Sequence, residues 1–593
     1  MTLFLGLDLS TQQIKGVVID NSGSVVSEAH VLYDTELPNF KTSNGRIVKN
    51  GNRVTSPVLM WVDALELLLF KLKEKLGSKT SSIRAIGGAA QQHGSVYWRN
   101  LESVHLSSEL SLSEQLSNQN VFTILDSPTW EDSSTAEYCE IQTALHTFQK
   151  IATITGSVST ERFTGNQIAK IKAEYESDYK NTERISLVSS FLASILLGKY
   201  APIEVSDASG MNLLDVQTRK WSKSLCDDEL LSKLGPDPVF FGENLGYLNN
   251  YFVEKFGFNK ECLVCSMTGD NPGNLSFIDS LSKRTISEEK DNSDKLTIVI
   301  SLGTSDTAIF PINNYPYSLE DHLTSANDYH GSILSHPKLP NKWAVLLCYK
   351  NGSLAREFVC DRLNNHSSES TLEDSKWVRF DTAYNSTPIS NDEFGFYYIL
   401  QEIIPKVSGI HKFSRVISEN VPVTDDIISL GSPSSKFKHK IINESSISDS
   451  DARLIVKSQI MSMKLDCLRK GLDIESDIGK LVITGGASKN DLIMQTIADV
   501  FNLPVYTIDD MKTSDSNSAS VEISSLSMPA MAGAISASLI HFKSQLNCSS
   551  QSDSINPSYT LKLSKTPIDQ NSRNYNDQMK DFSLLRDHLE SLS

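Results

Sequence analysis

One arrangement of elements occurs twice in this chain, and any fold must accommodate both copies. Near the N-terminus Leu3, Leu5 and Leu7 alternate with other residues, Asp8 to Gln13 (DLSTQQ) turn the chain, and Ile14 to Ile19 resume the same rhythm. Alternation on both sides of a polar turn predicts strand, turn, strand. In the second half Leu296 to Ser301 (LTIVIS), the turn Gly303-Thr304-Ser305-Asp306-Thr307 and Ala308 to Phe310 repeat the device. Each hairpin is followed by a helix and a strand that runs into glycines. Pro57 to Leu76 has helical spacing and leads to a strand, Ile83 to Ile86, and a Gly87-Gly88-Ala89 turn. Asp451 to Leu472 is helical in pattern, Leu481 to Thr484 is a strand, and Gly485-Gly486-Ala487-Ser488-Lys489-Asn490 turns after it. Two such halves predict a duplicated α/β domain with the active site in a cleft between the copies.

Length agrees, since 593 residues exceed what one hydrophobic core supports. The predicted division is 1–285, 286–545 and a C-terminal extension, 546–593, with the first boundary in the charged stretch Asp279 to Lys295. Leu101 to Asn120 and Asn364 to Ser370 read as surface insertions. The tail is polar from Gln551 until Phe582 to Leu592, where a short helix is expected.

Charge and cysteine usage exclude several classes of function. Lys plus Arg total 55 against 72 Asp plus Glu, and a net charge of -17 repels nucleic acid. The N-terminus has no positively charged stretch of a secretory signal, and Ile185 to Leu197, a core helix ending at Gly198, falls well short of the roughly 20 residues that span a bilayer. Eight dispersed cysteines form no disulfide framework, and Cys262 with Cys265 lacks a second pair to make a zinc site. A cytoplasmic protein, with no membrane and no nucleic-acid partner, is expected.

No GxxxxGK[ST] loop is present, so bound phosphates need another cradle. Ser10, Thr11 and Gln12 in one hairpin and Gly303 to Thr307 in the other can offer backbone N–H groups and hydroxyls. Either turn alone would pass as an ordinary hairpin; the pair is the signal. Asp8, just before the first turn, suits Mg²⁺ through water, because that ion prefers one or two carboxylates plus phosphates. Gly269-Asp270-Asn271-Pro272 places a carboxylate beside an amide in a loop stiffened by proline. Gln91-Gln92-His93-Gly94, followed by Tyr97-Trp98, offers hydrogen-bonding tips and aromatic faces that suit a polyol. Trp130 and Asp132 could line the same cleft, but Trp-x-Asp by itself is nondescript. Asn351-Gly352-Ser353 reads as the start of a helix.

These residues carry a resemblance. FLGLDLSTQQIKG, AAQQHGSVYW, SPTWEDSSTAEYC, RFTGNQIAKI, ISLVSSFLAS, SDASGMNLLD, MTGDNP, ISLGTSDT, CYKNGSLARE and TGGASKN resemble, in order, the eukaryotic-type xylulose kinases, a branch of the FGGY carbohydrate kinases. The resemblance implies two ribonuclease H-like domains of the actin and sugar-kinase superfamily flanking a deep cleft. It implies ATP and Mg²⁺ as cofactors and phosphorylation of D-xylulose to D-xylulose 5-phosphate, which feeds the pentose phosphate pathway. By matching motifs His93, Arg162, Asp270 and Asn271 would contact the sugar, with Asp270 as base. Thr11, Gln12, Gly303, Thr304, Trp377, Gly485, Gly486, Ala487 and Asn490 would lie along the nucleotide, and Asp8 would hold the metal. The chain would work as a monomer or homodimer. One segment departs from the family pattern: Asn517-Ser518-Ala519 is separated by Ser520 to Pro529 from Ala530-Met531-Ala532-Gly533-Ala534. The alternatives are a kinase for another polyol, such as ribulose or glycerol, and a catalytically silent sugar sensor.

Overall fold

A computed structural model describes residues 1–285, 295–318, 329, 331–365, 373–390, 392–403, 405–416, 427–429, 436–510, 527–545 and 559–592. Contacts divide the chain into two units, one of Met1–Arg284, Pro311–Ala344 and Asp510–Thr560, the other of Thr285–Phe310, Val345–Asp509 and Leu561–Ser593. Part of Asp279 to Lys295, residues 366–370, the tail residues 551–558 and residues 520–526 of the interrupted segment lie outside the described residues.

The first unit is built on a mixed sheet. Its strands run in the order Asn244–Tyr247, Leu263–Cys265, Ile83–Ala90, Leu3–Leu9, Gln13–Asp20, Val25–Leu32, and Thr268–Gly269 also pairs with Ile83–Ala90. Leu3–Leu9 is buried at every residue, so it must be covered on both faces. The Val58–Leu76 helix covers one, burying Leu65, Leu68, Leu69 and Leu72 in the core. A Cβ added to Gly16 in the neighbouring strand would come within 3.0 Å of Leu72. The other cover is the Met528–Gln545 helix, a segment that a division at residue 286 assigns to the second half. Its backbone lies so close that a Cβ on Gly6 would sit 1.8 Å from the Ala530 carbonyl oxygen.

That contact corrects the expected glycine turn in the first half. Gly87 and Gly88 do not turn the chain: the strand continues unbroken from Ile83 to Ala90. They are small because a helix presses on them, a Cβ on Gly87 falling 2.4 Å from the Gly533 carbonyl oxygen and one on Gly533 falling 2.6 Å from the Gly88 Cα. The expected core helix is also shorter, since Arg184–Leu187 is a strand paired with Ser95–Trp98 and only Val188–Leu197 is helical. Leu101 to Asn120 is not purely superficial: it contains the Leu112–Asn118 helix, and Leu101, Leu112 and Leu116 are buried in the core.

In the second unit Leu296–Leu302 and Asp306–Ile312 form the second hairpin, with Leu302 opposite Asp306. Leu296–Leu302 runs parallel to Ile478–Thr484, which runs parallel to Val505–Asp510. Here the glycines do turn the chain. Gly485 has φ of 87°, a left-handed conformation that favours glycine, and its Cβ would lie 2.3 Å from the Leu302 carbonyl oxygen. The predicted helices appear as Ser450–Arg469 and, starting at the expected position, Ser353–Asn365. The C-terminal helix is longer than its apolar end suggested, Asp569–Ser591. No helix among the described residues is long and apolar enough to cross a membrane.

Candidate active site

Parallel pairing brings the two key carboxylates of the first unit to one end of its sheet. Asp8 stands opposite Ala89, and Ala89 in turn stands opposite Thr268, two residues before Asp270. Asp8 and Asp270 therefore leave strands that flank Ile83–Ala90, at the carboxyl ends where open α/β sheets bind ligands. Asp270 does not sit in a loop, as the tetrapeptide suggested, but opens the Asp270–Thr285 helix. Pro272 is accommodated because the first helical turn has no use for its missing N–H. The Asp270 Oδ1 accepts hydrogen bonds from the Asn271 N–H at 2.8 Å and the Asn271 amide at 3.1 Å. Burial, with the negative charge of Asp8 added, pushes Asp270 up to about 7. A carboxyl that titrates near neutrality can take a proton and release it again.

Asp8 is buried and gripped by two hydroxyls. Ser10 donates to its Oδ1 and Ser527 to its Oδ2, both at 2.7 Å. Burial raises its affinity for a proton, an effect the two hydroxyls oppose. Ser527 immediately precedes the Met528–Gln545 helix and also accepts from the Ala530 N–H at 3.2 Å. The far side of the interrupted segment thus reaches the first carboxylate and packs on the first sheet. In the adjoining turn the Thr11 hydroxyl accepts from the Trp130 indole N–H at 2.9 Å, while Gln12 is exposed. Trp130 therefore bears on the turn. Asp132 is a bracket for the chain, accepting from the Val54 N–H and the Gln167 amide at 2.8 Å each.

His93 follows the Ile83–Ala90 strand and has φ of 69°, a strained backbone for a side chain of its kind. Its Nδ1 lies 3.0 Å from the Gly210 carbonyl oxygen. A carbonyl only accepts, so the proton is on Nδ1 and Nε2 carries a lone pair. Burial, and then the charge of Arg162, push His93 down to about 3, and it is neutral. Phe163 joins the two residues, its ring 5.0 Å from the imidazole and 5.9 Å from the guanidinium carbon. Gln91 keeps both amide atoms buried without a partner, as does Arg162 its Nε. Gln92 accepts from the Asn271 amide at 3.2 Å. The first unit thus assembles Asp8, Thr11, His93, Arg162, Asp270 and Asn271, with hydrogen-bonding capacity left over for a small polar molecule.

The remaining candidates lie in the second unit. Gly303 and Thr304 form its hairpin turn, and their carbonyls accept from the Ser353 N–H at 2.9 Å and the Leu354 N–H at 3.4 Å. The turn is thereby fastened to the start of the Ser353–Asn365 helix. Asp306 behind it is buried in a two-pronged pair with Arg356, at 2.7 and 3.1 Å. A Cβ on Gly352 would fall 2.6 Å from the Asp306 carboxylate, so that position stays bare. Gly485 and Gly486 are exposed, and Ala487 lies in the turn with Gly486. Asn490 caps the Asp491–Phe501 helix, accepting from Leu492 and Ile493, and its amide donates to Asp381 at 3.1 Å. Asp381 lies on the Glu373–Ser386 helix, which carries Trp377, half-buried against Phe380. Sequence reasoning assigned no role to Ser527, Glu204, Asp207, Asp306 or Arg356. Asp207, Asp306 and Arg356 lie inside the quoted motifs; Glu204 lies two residues before one of them, and Ser527 lies in the departing segment and gave no signal.

Two α/β units with strands ending in polar turns, one of them holding a near-neutral carboxyl and unmet hydrogen-bonding groups, fit a kinase of small hydroxylated molecules. Its fold is similar to that of the ligand-bound xylulose kinase from Lactobacillus acidophilus, with a TM-score of 0.71 and 14% identity over 99% of this chain and 98% of that one. The models of the N-terminal and C-terminal domains of the FGGY family of carbohydrate kinases match residues 3–275 and 452–514. Xylulose kinase of Mus musculus is 39% identical over 85% of this chain and 82% of the relative. Xylulose kinase 2 of Arabidopsis thaliana is 37% identical over 86% and 84%. The chain belongs to the FGGY family of carbohydrate kinases. Among the described residues Cys262 and Cys265 are buried free thiols, and no cluster of three metal-ligating side chains occurs.

Proposed function

We propose that this chain transfers the γ-phosphoryl group of ATP to D-xylulose, giving ADP and D-xylulose 5-phosphate, with Asp270 as the base. The Asp270 carboxyl, near-neutral in its titration and bonded to Asn271, with the unmet polar groups of Gln91 and Arg162 in the same unit, is the observation that carries this reading. His93 offers the lone pair of Nε2 to a sugar hydroxyl, Arg162 its planar fork to hydroxyls or the open-chain carbonyl, and Asn271 its amide. Phosphoryl transfer proceeds through a loose transition state, so aligning the hydroxyl matters more than a strong base. Asp270 orients the hydroxyl and accepts its proton as the bond to phosphorus forms.

Gly303, Thr304, Gly485, Gly486, Ala487 and Asn490, with Trp377 toward the base, are assigned to the nucleotide, and Thr11 and Gln12 to its phosphates. A resident Mg²⁺ fits the residues present: a single buried carboxylate, Asp8, is what an ion carried mainly by phosphates and water asks of the protein. Asp8 would hold it through water, and the ion would neutralise charge on the phosphates. Every residue named belongs to one chain, so the reading serves a monomer or a homodimer. The reaction is placed in the cytoplasm, where ATP is supplied.

The test is a panel of D-xylulose, D-ribulose, L-ribulose and glycerol with Mg-ATP, ranked by kcat/KM from ADP release. D-xylulose is expected to lead by about tenfold or more, the discrimination available from a few substrate hydrogen bonds. ADP release no faster with D-xylulose than without sugar overturns the reading. A different leading polyol overturns the acceptor alone.

A further inference from the structure

Two parts of the sugar site meet at one buried oxygen. Glu204 is fully buried and caps the short Val205–Ala208 helix, its Oε2 accepting from the Asp207 N–H at 3.0 Å. The same oxygen accepts from the Ser206 hydroxyl at 2.6 Å and from the Thr268 hydroxyl at 2.8 Å, and those two hydroxyls lie 3.0 Å apart. Thr268 is in the Thr268–Gly269 strand, which runs directly into Asp270. The Val205–Ala208 helix runs directly into the Ser209–Met211 turn, whose Gly210 carbonyl fixes the His93 tautomer. The strand delivering Asp270 and the turn orienting His93 are therefore joined through a single carboxylate.

The surroundings make this joint stiff. The Ser209 hydroxyl donates to the Val205 carbonyl at 2.7 Å and accepts from the Ser335 N–H at 3.0 Å. The Asp207 side chain is held by the Ser189 hydroxyl. The carboxylate is also costly where it stands: burial pushes Glu204 up to about 7, and its Oε1 is buried without a partner. Packing alone would be better served by an apolar residue there.

We propose that Glu204, acting through Thr268 and the Gly210 carbonyl, is a positioning residue that fixes Asp270 and His93 relative to each other. The inference rests on the reading of those two residues given above. A base displaced by an ångström from the hydroxyl it serves loses on the order of a hundredfold in rate.

The experiment compares T268V, T268S, E204A and E204Q with the unaltered enzyme, with D270N as control. T268V keeps shape but not the hydroxyl, and should lower kcat by about tenfold to a hundredfold and raise the KM for sugar. The KM for ATP should not change, and T268S should restore both parameters. E204Q, whose amide oxygen can still accept, should retain more activity than E204A. If E204A does not fold, the T268V and T268S pair decides. Wild-type kinetics in T268V with D270N inactive overturns the inference alone, as does an equal loss in T268V and T268S, which would assign the effect to packing. Full turnover in D270N overturns the base assignment, and this inference with it.

Discussion

Replacing Asp270 by Asn should make the protein more stable while nearly abolishing turnover. Asp270 titrates near 7 against an ordinary value of 3.8. Between those limits the unfolded chain releases the proton and the folded one keeps it, so stability falls as pH rises across the window, and above it the loss is complete. Roughly three pH units at about 1.4 kcal/mol each bound the penalty at roughly 4 kcal/mol. Asparagine escapes it, and its amide oxygen can still accept the two bonds from Asn271. Urea unfolding at pH 8 should show D270N more stable by about 1 to 4 kcal/mol, a gain that shrinks as pH approaches 4. Loss of the base should lower kcat by about 10² to 10⁴. In the unaltered enzyme kcat/KM for the sugar should rise with pH through about 7. A D270N protein that is no more stable at pH 8, or whose kcat stays within about tenfold, refutes the reasoning.

Other substitutions test the rest of the construction. Gly87→Ala sets a methyl against the backbone of the Met528–Gln545 helix, which cannot rotate away, and should cost about 1–3 kcal/mol or more, read as a lower urea midpoint at unchanged slope. Arg356→Met leaves Asp306 buried and unpaired, at about 3–5 kcal/mol, whereas the D306N/R356M double variant should cost less. A single variant no less stable than the double would remove the pair from the account. Trp130→Phe keeps the ring but loses the bond to Thr11, and should raise the KM for ATP by about two- to fivefold, the worth of one hydrogen bond, with the KM for sugar unchanged. An unchanged KM for ATP would separate the Thr11 turn from the nucleotide.

The hairpins and the long helices were legible in the sequence because their signals are local: alternation at Leu3, Leu5 and Leu7, and helical spacing over Val58–Leu76. The ordered motifs also declared the family. Sequence could not tell a glycine that turns the chain from one that admits a neighbour. Gly485 and Gly87 sit in similar strings, yet one has a left-handed backbone and the other lies in a strand beneath a helix from over four hundred residues away. Nor could it connect Ser527 to Asp8, or Glu204 to Thr268, because those hydrogen bonds depend on which strands pair in parallel and which helix closes the sheet. Residue identity set the chemistry each side chain could offer; long-range pairing and burial decided which carboxyls would titrate near neutrality and what holds them in place.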